Sequence, residues 1–244
     1  MTDVVGIQAV RAVLRESPER ARALYLLHGR RDARVNELID MAKRAGIRHQ
    51  SVDGAWFRRR ADEASHQGVL LETHELSLAK EGDLFARWDE LGDQPLLLVL
   101  DGLTDPRNFG ACLRSASGAG VDAVIVPKRN SAPLNEVALK TAQGGAEDLF
   151  IVEVTNLART LKGLAERGVW IVGADDDATA SYTDVDAKHP MAIVMGSEGK
   201  GMRRLTKELC DQLVFIPMQG SVSSLNVSVA TGILLYEVRR QRDA

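Results

Sequence analysis

From Pro95 to the end of the chain, short uninterrupted aliphatic runs alternate with segments of helical period, and no other feature narrows the fold as much. Pro95–Leu100 (PLLLVL), Ala123–Val126, Val169–Ala174 and Ala192–Met195 contain no charged residue. Strands that are apolar on both sides must be covered on both faces, which is the pattern of a parallel sheet in an α/β protein. Between them, Asn108–Gly118, Leu134–Gly144, Leu157–Arg167, Leu205–Cys210 and Asn226–Arg240 read as helices, and Leu149–Val154 and Leu213–Ile216 as further strands. General rules of chain connection predict an ordinary, unknotted doubly wound sheet here.

The front of the chain reads as a smaller α/β module. Ile7, Val10, Val13 and Leu14 fall at helical spacing within Gly6–Arg15, as do Val35, Leu38, Ile39 and Ala42 before Gly46. Ala23–Leu27, Ile47–Val52 and Gln67–Glu72 are strand candidates. We therefore expect residues 1–75 to form a small domain and residues 94–244 a larger one. Residues 76–93, polar with isolated Leu, Phe and Trp, are expected to be a partly helical linker.

Composition bounds the partners. The 244 residues carry a formal net charge of −3, which argues against coating nucleic acid by bulk charge. The balance is uneven. Residues 1–75 hold 13 Lys and Arg against 11 Asp and Glu, whereas residues 76–244 hold 18 against 23. A polyanion is thus expected to meet the front of the chain, with Arg30, Arg31 and the run Arg58-Arg59-Arg60 as candidate RNA contacts. Aromatics make up only 5%, too few for a dedicated base-stacking platform, so shape, phosphate and 2′-hydroxyl contacts should carry recognition. The two cysteines, Cys112 and Cys210, lie in no CxxC pair, so no disulfide framework and no metal site is expected. No apolar run approaches the roughly 18 residues of a membrane span, and the charged first twenty residues are unlike a signal peptide. A cytoplasmic protein without membrane contact is the expectation.

In open parallel sheets, ligands bind beyond the carboxyl ends of the strands. Three loops at such positions are rich in Gly, Ser and Asn: residues 101–110 (DGLTDPRNFG), 195–202 (MGSEGKGM) and 216–226 (IPMQGSVSSLN). The first opens a helix on which Arg114 has Gly110, Ala111, Ser117 and Gly118 at three and four positions away. That strip of small side chains lets another backbone or a ligand come close. The second fits neither the P-loop nor the GxGxxG pattern, but it can present backbone N–H and C=O groups to an adenosine-like ligand. In the third, Ser224 or Asn226 can cap the last helix.

Together these loops resemble the three motifs of the SpoU-type branch of the SPOUT RNA 2′-O-ribose methyltransferases. The matching stretches are DPRNFGACLRSASGAG (105–120), IVMGSEGKGM (193–202) and IPMQGSVSSLNVSVATGILLYE (216–237), in the family's order and spacing. The front segment GIQAVRAVLRESPERARALYLLHGRRD resembles the family's L30e-like substrate-binding domain. The resemblance implies an α/β fold with a C-terminal trefoil-knot methyltransferase domain behind a small N-terminal L30e-like domain. It also implies S-adenosylmethionine as methyl donor and a homodimer whose active site is completed across the interface. Within the family the similarity is greatest to enzymes acting on a guanosine in the peptidyl-transferase P loop of 23S rRNA. The implied substrate is that rRNA or an early large-subunit assembly particle.

Carried over by motif, Asn108, Arg114, Glu198, Ser224 and Asn226 are the implied catalytic residues. Gly196, Ile216, Met218 and Leu225 would hold the cofactor, largely through main-chain groups. Arg114 is expected to hold an RNA phosphate and stabilise oxyanion charge, since an arginine stays protonated; a transiently neutral arginine acting as base is the alternative. Two rival functions stand beside this reading: 2′-O-methylation of a tRNA or other rRNA nucleotide, and a non-catalytic ribosome-assembly RNA-binding protein.

Overall fold

The computed structural model describes residues 2–30, 32–61, 66–73 and 78–244. The chain divides into two compact units, Met1–Ser77 with Leu134–Asp148, and Leu78–Pro133 with Leu149–Ala244.

The larger unit is built on a parallel sheet. Its central strands are β6 (Leu96–Asp101), β7 (Ala123–Pro127), β8 (Ile151–Val154), β9 (Trp170–Ala174), β11 (Met191–Gly196) and β12 (Gln212–Phe215). Two short edge strands, β5 (Ala79–Lys80) and β10 (Ala180–Ser181), complete the order β10-β12-β9-β11-β6-β7-β8-β5. Every pairing is parallel. The aliphatic runs explain the middle of the sheet: all of β6 and β7 and all but the last residue of β11 are buried. Leu97, Val99, Ala123, Ile125, Ala192 and Val194 face one core, into which α7 (Leu157–Ala165) inserts Leu157, Leu161 and Leu164. Two further helices, α5 (Pro106–Gly118) and α9 (Val227–Arg242), pack on each other, with Cys112 Sγ 3.5 Å from Thr231 Oγ1, and the short α8 (Arg204–Glu208) precedes β12. The insertion of β11 between β9 and β6 departs from a simple sequential winding and is compatible with the knotted threading that the family resemblance implies.

Residues 78–91 are not a detached linker. β5 pairs with β8, α4 (Glu81–Ala86) buries Leu84 completely, and Phe85, Trp88 and Leu91 pack against the same core as α7. The isolated apolar residues of this polar stretch are its inward face. Glu81 then accepts from Thr160 Oγ1 at 2.7 Å and from the Arg159 guanidinium.

The smaller unit has a four-stranded sheet in the order β1-β4-β2-β3, from β1 (Thr2–Val5), β2 (Ala21–Leu27), β3 (Arg48–Val52) and β4 (Val69–Thr73). Helices α1 (Ile7–Glu16) and α2 (Ala33–Arg44) bury Ile7, Val10, Val13, Leu14, Val35, Leu38 and Ala42 against it. β1 and α3 (Gly54–Arg60) lie outside the sequence expectation, since neither four residues nor seven show a period. The segment 134–148, with α6 (Glu136–Ala142), belongs to this unit. Its Gly144 leaves no room for a side chain against Ala12, whose Cβ would be 2.8 Å away.

Candidate active site

Asp101 and Gly196 are paired in register at the ends of β6 and β11, so the loops that follow leave the sheet side by side. Val214 of β12 pairs with Ala174 at the end of β9, so the third loop departs from the same edge. In the first loop, Asp105 caps α5 by accepting from Arg107 N at 2.6 Å and Asn108 N at 3.2 Å, and Pro106 takes the first helical position, where its missing N–H costs nothing.

The second loop folds back on itself. Ser197 N and Gly201 O, and Gly201 N and Ser197 O, are joined at 3.0 and 2.9 Å. The turn needs glycine at three positions. Gly199 and Gly201 have φ of +74° and +66°, and a Cβ on Gly196 would lie 2.2 Å from Gly201 C. A buried carboxylate fixes the far end of this loop: Asp101 is 1% exposed and accepts from Arg203 N at 2.9 Å and Arg203 Nε at 2.6 Å. This pair was not foreseen, although an aspartate closing a wholly aliphatic strand is a visible signal.

The three loops meet at three side chains. Asn108 Nδ2 donates to Glu198 Oε1 at 2.5 Å, and Asn226 Nδ2 donates to both Asn108 Oδ1 and Glu198 Oε1 at 3.1 Å. Asn226 is the cap of α9 and is itself fixed, because its Oδ1 accepts from Ser228 N at 2.9 Å and Ser228 Oγ at 2.6 Å. With these bonds made, Glu198 Oε2 has no partner among the described residues.

Beside this cluster lies a cleft of about 520 Å3, within the range that holds a small-molecule ligand. Gly196, Glu198, Ile216, Met218, Ser224 and Leu225 all line it. Apolar walls come also from Met195, Met202, Val214, Phe215 and Val227, which the sequence reading did not single out. Its rim holds Asp175, Asp176 and Asp177, with Lys207 Nζ 2.7 Å from Asp175 Oδ2. Apolar walls that could take a purine, backbone groups of two glycine- and serine-rich turns, and acidic residues that favour a cationic group suit S-adenosylmethionine. Arg114 stands apart. It is exposed on α5, makes no hydrogen bond or ion pair among the described residues, and does not line the cleft.

Comparison with known proteins bears on this arrangement. Residues 95–236 match the SpoU rRNA Methylase family. The chain belongs to that family. Residues 4–79 match the family described as RNA 2′-O ribose methyltransferase substrate binding. The chain is 51% identical over 242 residues to the 23S rRNA (guanosine-2′-O-)-methyltransferase RlmB of Shewanella oneidensis, covering 98% of this chain and 97% of that one. It is 49% identical over 239 residues to RlmB of Escherichia coli K12, covering 98% of each. Among solved structures, an RNA 2′-O ribose methyltransferase superposes with a TM-score of 0.78 at 25% identity, over 99% of this chain and 89% of that one.

The candidate RNA contacts of the front unit fare unequally. Arg60 is engaged within the fold: it donates to Asp3 at 2.7 and 2.5 Å and stacks over Trp56 at 5.0 Å and Tyr25 at 5.7 Å. Arg30 donates to Asp32, the cap of α2, at 2.9 Å. Arg58 and Arg59 are exposed in the last turn of α3. Arg31 lies outside the described residues. Three of the eleven Phe, Trp and Tyr lie in this unit, with Tyr25 on Trp56 at 4.4 Å and Phe57 on His66 at 4.6 Å.

Proposed function

We propose that this chain transfers a methyl group from S-adenosylmethionine to the ribose 2′-hydroxyl of a guanosine in 23S rRNA, and that this guanosine lies in the peptidyl-transferase P loop. The observation that carries the reading is the closure of Asn108, Glu198 and Asn226 into one hydrogen-bonded group beside an apolar cleft, in a chain half identical over its length to 23S rRNA guanosine methyltransferases.

When bound, the donor supplies a methyl group on a sulfonium, already a good electrophile. The chain's task is to position a ribose oxygen and accommodate the charge it develops. Glu198 Oε2 is the open acceptor of the cluster and orients the hydroxyl or takes its proton. The two asparagine amides fix that carboxylate from the other side. Gly196, Ile216, Met218 and Leu225 hold the donor, with Ser224 at the same wall. Arg114 steadies the neighbouring phosphate and the developing oxyanion.

Arg114 follows Asn108 by six positions, which on a helix turning about 100° per residue points it roughly 120° away. We therefore place Arg114 in the active site of a second copy, in a homodimer. Val229 and Tyr236, two turns apart on α9 and 50% and 54% exposed, offer an apolar face for such an interface. Among the described residues no helix is long and apolar enough to cross a membrane. We place the enzyme in the cytoplasm, acting on rRNA or an early large-subunit particle.

The test is to incubate the protein with radiolabelled S-adenosylmethionine and total RNA from cells that lack it, then map the modified ribose. Label on a single P-loop guanosine of 23S rRNA is expected. Label confined to tRNA, or none in either naked rRNA or assembly particles, would overturn the reading.

A further inference from the structure

The unit formed by residues 78–133 and 149–244 holds 17 Lys and Arg against 20 Asp and Glu, so its cations are outnumbered. Most are used internally: Arg159 on Glu81, Arg203 on Asp101, Lys207 on Asp175, and Arg239 and Arg242 on backbone carbonyls are examples. Seven have no side-chain partner among the described residues, and their placement is uneven. Arg107 and Arg114 lie on α5 after β6, Lys128 and Arg129 in the turn after β7, and Lys200 in the turn after β11. Arg107, Lys128, Arg129 and Lys200 thus sit at the carboxyl edge of one sheet, the edge that carries the candidate active site, and Arg114 lies two turns further along α5.

Four of them form a group. Arg107 and Arg114 are seven positions apart, hence on one helix face and about 10 Å apart along the axis. The β7 turn is tied to the loop that begins α5: Ala132 N donates to Leu103 O at 2.6 Å, and Asn130 O lies 3.6 Å from where a Gly102 Cβ would be. All four side chains are exposed. An acidic unit that leaves its free cations together beside a nucleic-acid site has the electrostatic footprint of a backbone contact.

We propose that Arg107, Lys128 and Arg129 form a phosphate track beside Arg114 that grips the RNA backbone next to the target nucleotide. This rests on the RNA methyltransferase reading above, and it moves part of substrate binding from the front unit to the catalytic one. Phosphate contacts position the strand without reading its bases.

The experiment compares the full-length protein with a triple variant, Arg107→Ala, Lys128→Ala, Arg129→Ala. A second variant, Lys162→Ala with Lys188→Ala, removes the two unpaired cations away from that edge. Affinity for a synthetic P-loop RNA and for a scrambled RNA of equal length is measured from 50 to 200 mM salt, with S-adenosylmethionine binding followed by calorimetry. The triple variant is expected to weaken both RNAs equally and to lower the slope of log affinity against log salt by about 2 to 3, at roughly 0.7–0.9 per contact. Donor binding should stay at the wild-type value, and the Lys162/Lys188 variant should keep the wild-type slope. A slope unchanged in the triple variant, or lowered as much in the control pair, overturns the track. Should the wild type methylate no rRNA, the reading of function fails, yet the salt slopes still judge the track.

Discussion

Asn108 and Glu198 lie 90 residues apart in sequence, and the side-chain amide of the first donates to the carboxylate of the second at 2.5 Å. The same oxygen accepts from Asn226, so one carboxylate holds two of the loops on the third. A hydrogen bond to a charged group contributes about 1.5–3 kcal/mol. Glu198→Ala should lower kcat on the order of 100-fold, and Glu198→Gln, which keeps one acceptor oxygen without its charge, about tenfold. Initial rates of methyl transfer at saturating donor and RNA measure this; a wild-type rate in the alanine variant would remove Glu198 from the site.

Arg114 has no partner among the described residues, so replacing it disturbs little of the fold. Lysine keeps the charge and loses the planar fork that matches a phosphate. Arg114→Lys is expected to lose nearly all turnover while binding S-adenosylmethionine as tightly as the wild type, by calorimetry. If subunits exchange, mixing this variant with Glu198→Ala should restore part of the activity, because one mixed site is intact on both sides. Absence of any restored activity would argue for a site completed within one chain.

Gly196 is limited by space rather than by its own backbone angle. An added Cβ meets Gly201 C at 2.2 Å and Met202 N at 2.3 Å, both backbone atoms that cannot swing aside. Gly196→Ala should weaken donor binding by at least about 100-fold, read by calorimetry, with far-ultraviolet circular dichroism reporting an intact sheet. Tight donor binding in a folded variant would show that the 197–201 turn does not shape the cleft.

Glu147 offers a pH test in the smaller unit. Its carboxyl is buried, Oε2 has no hydrogen-bond partner among the described residues, and Arg20 Nη1 approaches Oε1 only to 3.9 Å. Burial therefore outweighs attraction and pushes the carboxyl from its ordinary 4.5 up to about 7. Between those values the folded chain holds a proton that the unfolded chain has released, so this group's contribution to stability falls as pH rises from about 5 to 7. Glu147→Gln should be more stable than the wild type at pH 8, by about 1–3 kcal/mol, with the difference shrinking toward pH 5. Denaturant unfolding at both pH values checks it, and a difference independent of pH would contradict the account.

Much of the architecture was legible because strand and helix leave periodic traces. The uncharged apolar stretches became β6, β7, β9 and β11, and the amphipathic stretches became α1, α2, α5, α7 and α9, with ends displaced by a few residues. Residues 78–91 were harder to read because Leu84, Phe85, Trp88 and Leu91 bury one thin face of a mostly charged segment. Their inward direction is set by the core they meet, not by their own period.

The amino-acid order alone determined the parallel α/β class and marked three loops as places for chemistry, since local hydrophobic period and glycine placement are properties of short stretches. Only the tertiary structure decided which side chains meet. The Asn108–Glu198–Asn226 bonds, the Asp101–Arg203 anchor and the withdrawal of Arg60 into an ion pair with Asp3 each join residues at least 28 positions apart in the chain. Such pairings depend on strand order and register, which bring distant loops to one edge, and no local pattern records them.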